Sequence, residues 1–179
     1  MDTALANPAL DLVNSLAADG RDALDDPAWV AAALVRWELD PSGPLQPDEV
    51  ARLKELRSLL ARLTDAVAER QALSGEELEA LNDVIGATPV RAQLVAAPAG
   101  GFLVALTPVA STWEDEAVRE LAGTFAAALR RAWPPRLKRC ANPDCRAAFY
   151  DATRSRTRRW CDGRACGNRV RVRRHRGRN

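Results

Sequence analysis

Apolar residues in the first 129 positions recur mostly at three- and four-residue steps, the spacing that lines one face of a helix. Pro8 opens a short segment of this kind, ALDLVNSLAA, and Asp26-Pro27 supplies an N-cap with proline at the first helical position, leading into AWVAAALVRWEL. From Pro47 the pattern is longest: Val50, Leu53, Leu56, Leu60, Leu63 and Val67 share a face, with charged residues on the others. Ser74 and Glu77 form a capping box ahead of LEALNDVIG, which Gly86 is placed to end. The period then changes. VRAQLVAA and GFLVALT, joined by Pro98-Ala99-Gly100-Gly101, predict a strand pair around a turn. A second capping box, Ser111 with Glu114, precedes a helix that runs to the double proline Pro134-Pro135. Trp29, Trp37, Trp113 and Trp133 all fall within helical patterns and are expected in the core.

The double proline is the expected boundary, dividing the chain into residues 1–133 and 134–179. The first part is a mostly helical domain with one hairpin. The second is too short to bury a core of its own, with Leu137, Phe149, Tyr150, Trp160, Val170 and Val172 as its few large apolar side chains.

All four cysteines of the chain lie in that second part: Cys140, Cys145, Cys161 and Cys166. Two closely spaced pairs with a loop between them point to a tetrahedral zinc site, each pair wrapping a turn around the ion. Four thiolates leave no open position for a water or substrate, so the expected cofactor is one structural Zn²⁺ that supplies folding free energy. Asn142-Pro143-Asp144 gives the first pair knuckle-like turn chemistry, and Ala147–Tyr150 and Trp160-Cys161 are expected to form two strands. Gly167 is expected to allow close backbone approach where the last cysteine opens a helix. Knuckle, hairpin and helix together make a treble-clef-like finger.

Charge separates the two parts further. Residues 1–129 carry nine Lys/Arg against 21 Asp/Glu, about −12, and residues 130–179 carry 17 against three, about +14. A block this basic attracts polyanions, so a nucleic acid, DNA or RNA, is the first partner expected, with a protein as the alternative. Two clusters are the candidate nucleic-acid contacts: Arg154, Arg156, Arg158 and Arg159 in the loop before the third cysteine, then Arg164, Asn168, Arg169, Arg171, Arg173, Arg174 and Arg176 along the terminal helix. On that helix Arg169, Arg173 and Arg176 share one face, and Arg171, Arg174 and Arg178 another. Asn168 and the arginines near the helix start are the side chains expected to reach base edges. One or two of the arginines beside the cysteines, Arg139 and Arg159 being the candidates, are expected to serve only to stabilise the thiolates. The finger either stands free or is masked by docking on the acidic domain, and both arrangements remain open at this point.

Catalytic equipment is not expected. The single histidine, His175, lies in the basic tail, and the chain has no glycine-rich phosphate loop or nucleophile elbow. Asp11 and Asn14, three residues apart on an otherwise apolar helix, either satisfy buried groups or contact a small-molecule effector, and the structural role is preferred. Apolar runs are too short to span a bilayer and the N-terminus lacks the order of a signal peptide, so a cytoplasmic protein without a membrane partner is expected.

The stretch CANPDCRAAFYDATRSRTRRWCDGRACGNRVRVRRHR resembles the CGNR zinc finger, named for the tetrapeptide standing here as Cys166-Gly167-Asn168-Arg169, and Arg158–Cys161 matches its other hallmark, RRWC. The N-terminal part, with LDLVNS at Leu10–Ser15, is similar to the ABATE domain that precedes this finger in bacterial proteins described as stress-induced transcription regulators. The resemblance implies an α+β N-terminal domain with a ligand-sensing role and a DNA-binding, treble-clef-like finger. His175 stands where the resemblance leads one to expect tyrosine or another planar residue, and the four cysteines leave it no place as a ligand.

Overall fold

The computed structural model describes residues 7–41, 43–87, 89–109, 112–131 and 136–176. Ser111, Trp133, the Pro134-Pro135 boundary and Arg178, all singled out above, lie outside the described residues. Four helices come first: α1 (Pro8–Val13), α2 (Pro27–Arg36), α3 (Pro47–Ala68) and α4 (Gly75–Gly86). An antiparallel pair follows, β1 (Val90–Ala96) and β2 (Phe102–Pro108), then α5 (Trp113–Arg131). A second, shorter pair, β3 (Leu137–Arg139) with β4 (Ala148–Tyr150), and the terminal helix α6 (Asn168–Arg176) complete the chain.

Helix starts follow the capping chemistry of the sequence. Asn7 and Asp26 accept the Leu10 and Ala28 amides at the heads of α1 and α2. Ser74 and Glu77 exchange bonds at α4 as a full capping box. At α5 the Thr112 hydroxyl accepts from the Asp115 amide at 3.3 Å. The turn between β1 and β2 carries Gly100 and Gly101 at φ +91° and +82°, a backbone region that disfavours any side chain.

The core lies where α1, α3 and α5 meet. Leu12, Leu53, Leu60, Leu63, Leu121 and Phe125 are fully buried there, and Trp37 is buried beside them. Trp29 and Trp113 are half-buried against the same cluster. Arg57 is the polar tie: from within α3 it reaches Ser15 Oγ at 2.9 Å and both oxygens of Asp22 at 2.5 and 2.7 Å, pinning the connection between α1 and α2. The Arg57 guanidinium holds the Asp22 carboxyl well below the usual carboxylate range.

Leu137 of β3 and Ala148 of β4 belong to this same core. The short hairpin packs on α3 and α1, so the basic segment is docked through its strands on the helical part. The pairing also corrects one expectation. The partner of Ala148–Tyr150 is Leu137–Arg139, and Trp160-Cys161 form no strand. The ladder continues from Cys140 N–H to the Ala147 carbonyl at 2.8 Å, which sets the first cysteine pair at the hairpin's tip, while the Arg159 carbonyl accepts from the Ala141 amide at 2.9 Å.

Candidate metal centre and nucleic-acid interface

Each cysteine is delivered by a different local device. Cys140 leaves β3, and the buried Asn142 turns the chain by accepting the Cys145 and Arg146 amides on its carbonyl at 2.9 and 3.0 Å. Arg146 completes the knuckle in the left-handed region, at φ +47°. Asp162 caps the other half. Its Oδ1 takes the Arg164 and Ala165 amides at 2.7 Å each, and its carbonyl takes the amide of Cys166. Cys166 thus closes a turn, Gly163–Gly167, that runs directly into α6. A Cβ on Gly167 would meet the Trp160 ring at 3.5 Å, ordinary contact, so the close approach expected at this glycine is not one that excludes a side chain.

The four sulfurs lie within 4.8 Å of one another, and none is in a disulfide. A zinc–sulfur bond of about 2.3 Å in a tetrahedron sets sulfurs about 3.8 Å apart. Here Cys145 and Cys161 are 3.6 Å apart and Cys161 and Cys166 3.7 Å, so the residues fit one structural zinc ion. Burial and then the sulfurs of Cys145 and Cys166 push the Cys161 thiol up. A divalent cation is what allows all four to act as thiolates together.

A CGNR zinc finger pattern matches residues 136–179, and a pattern described as "ABATE: Putative stress-induced transcription regulator" matches residues 6–132. The chain belongs to the ABATE family. No protein of curated function matches the chain.

Beside the sulfurs, the CGNR finger is organised by a residue that the sequence did not single out. Asp151 is fully buried at the end of β4. It accepts Lys138 Nζ at 2.7 Å and the Arg158 amide at 2.9 Å on one oxygen, and the amide and hydroxyl of Thr153 on the other. Burial alone would raise its pKa, but these donors outweigh it and hold the carboxyl at about 2. The available signal was scarcity: Asp151 is one of only three acids after residue 129. With Asp151 fixed, the Thr153–Arg158 loop is drawn back along β3, and Lys138 also bonds the Arg156 and Arg158 carbonyls.

The candidate contacts divide by what they already touch. Arg154, Arg156, Arg159 and Arg164 are exposed. Arg158 is exposed as well but is engaged on its own finger, with Nε on the Trp160 carbonyl at 3.0 Å and its guanidinium over the Phe149 ring. On α6, where no residue is buried, Arg173 pairs with Asp144 of the knuckle, and Arg169 lies in the same cleft. Arg171, Arg174 and Arg176 make no ion pair among the described residues. Asn168, at the helix start, is exposed and accepts weakly from Arg171 at 3.5 Å. Arg139 departs from its expected role. Its guanidinium bonds Asp65 and the Ala61 carbonyl on α3, tying finger to domain, because β3 faces that helix. Arg159 lies over the Trp160 ring.

Asp11 and Asn14 are both engaged within the chain. Asp11 Oδ2 accepts Trp37 Nε1 and the Arg36 guanidinium, each at 2.9 Å. Asn14 clasps Ala148, donating to its carbonyl at 2.9 Å and accepting its amide at 2.7 Å. Both also line a cleft of about 680 Å³ between α1, α2 and the finger, with Leu10, Trp37, Phe149 and Tyr150. No helix among the described residues is long and apolar enough to cross a membrane.

Proposed function

We propose that this ABATE-family protein is a non-catalytic, cytoplasmic, DNA-binding transcription regulator, in which zinc fixes the root of α6 and α6 lies along the phosphate backbone. The observation that carries this reading is the state of that helix. It is anchored at one end by Cys166, has no buried residue, and presents Arg171, Arg174 and Arg176 without ion pairs among the described residues. Like charges at such spacing oppose one another, and neutralising phosphates relieves the repulsion. The acidic helical part docks on the finger's hairpin and leaves this helix open, which favours a sensing role over simple masking. The cleft beside Asn14 borders both parts, and a small-molecule effector held there would touch α1 and β4 together.

The test is duplex binding measured against salt with the zinc-loaded chain. Affinity is expected to fall steeply with salt, by roughly 0.9 log per log for each phosphate contacted. The double variant Arg171→Ala, Arg174→Ala keeps its zinc, and its slope is smaller by about 2. A flat salt dependence, or a clear preference for RNA, would overturn the reading and point to an adaptor.

A further inference from the structure

The β1–β2 hairpin has seven paired positions and takes no part in the core: among the described residues, none between Val90 and Val109 belongs to the hydrophobic cluster or is packed against it. The register separates its side chains into two unlike faces. One holds Arg91, Gln93 and Val95 opposite Thr107, Ala105 and Leu103, a mixed face of ordinary kind. The other holds Val90, Ala92, Leu94 and Ala96 opposite Leu106, Val104 and Phe102, and no polar side chain interrupts it. Its large residues stand open to water. Leu94 is 70% exposed, Phe102 77%, Val104 63% and Leu106 58%.

A two-stranded sheet with one wholly apolar, uncovered face is marginal by itself in water. Four large apolar side chains more than half exposed on one face make a contiguous patch of the kind that monomeric surfaces rarely leave open. We propose that this face is the contact between two copies of the chain, stacked face to face about a twofold axis, so that the two hairpins form a four-stranded, two-layer sandwich.

Three features favour a second copy over another occupant. Arg91 is the only charged residue from Ala87 to Val109, and it lies on the opposite face, so the apolar face has no charge by which to select a charged protein or a lipid headgroup. The face carries side chains of one chemical kind at every position of the register, which suits an isologous contact in which the same patch meets itself. The area points the same way: two apolar faces of several hundred Å² each approach the roughly 1,200 Å² at which stable specific interfaces begin. The stacked sheets sit about 10 Å apart, the ordinary spacing of a sandwich core. Each dimer then carries two basic helices, but the contact does not depend on DNA.

Sedimentation of the zinc-loaded full chain between about 1 and 100 µM, without nucleic acid, decides the matter, since small interfaces are commonly weak. A concentration-dependent dimer is expected. Leu94→Glu should weaken it at least 100-fold while keeping helical content and one zinc per chain, because Leu94 contributes nothing to the core. Gln93→Glu, on the other face, should leave the dimer as it is. A wild-type chain that stays monomeric at the highest concentration overturns the proposal, as does a Leu94→Glu chain that dimerises like the wild type. Equal loss in Gln93→Glu also overturns it, since the contact then does not discriminate between the faces.

Discussion

The described residues form two antiparallel hairpins, and the better strand sequence belongs to the less buried one. β1–β2 pairs seven residues per strand, rich in Val, Leu and Ala, yet most of its large apolar side chains are exposed. β3–β4 pairs three, LKR with AFY, and it carries the buried Leu137, Ala148 and Phe149. What separates them is attachment. The short hairpin is held at its tip by the cysteine knuckle, at its root by Asp151, and along one side by Asn14 and Arg139. Intrinsic strand preference decides little when a pair is this short, whereas cross-chain bonds and a metal decide much.

Removing the metal breaks the comparison most severely. Chelation, or Cys161→Ser, is expected to cost the finger its ordered α6 and most of its DNA affinity, since structural zinc contributes on the order of 10 kcal/mol to such sites. The helical part and β1–β2 should persist. Zinc content, far-UV circular dichroism and duplex binding check this together, and a metal-free chain that keeps α6 would contradict it.

Asn14→Ala sharpens the comparison at smaller scale. It leaves the Ala148 amide and carbonyl without partners at the edge of the core, for an expected loss of about 2–3 kcal/mol in chemical denaturation. Zinc stoichiometry should stay at one. If the loss is only a few tenths of a kcal/mol, the clasp is not what holds the finger in place.

Acid should separate the two parts by sign and by order. Protons compete with zinc for the thiolates, so metal release comes first as pH falls. The Asp22 carboxyl is held below its unfolded value of 3.8 by Arg57, so its stabilisation is complete above about pH 5 and is lost progressively as pH falls past 3.8 to the lower, folded value. A metal-indicator dye and helical content followed over one titration are expected to show two steps. Asp22→Asn should flatten the second.

The sequence made the helices, the first hairpin and the metal centre legible for a common reason: each rests on local chemistry. Caps at Asp26 and Ser74, the change of period after Pro89 and the paired cysteines need no knowledge of distant contacts. The misassigned strand shows where that ends. LKR has no alternation to mark it, and only its pairing across the knuckle makes Leu137–Arg139 a strand. Asp151 and Arg139 escaped notice or were misread because their partners come from other elements, Lys138 on the neighbouring strand and Asp65 on α3. In β1–β2 the register was legible, but alternation alone could not say that the apolar face would be left uncovered.

The Asn14–Ala148 clasp has a consequence in the order of synthesis. Its partners are 134 residues apart, so the first helix made is among the last to be completed. While the ribosome works at its usual 5–20 residues per second, α1 waits with part of its docking surface open until the finger emerges, and so does the core that Leu137 and Ala148 will fill. Delivery of the finger is therefore also the final closing of the domain that precedes it. A chain cut short of β4 would lack a seal as well as the basic helix α6.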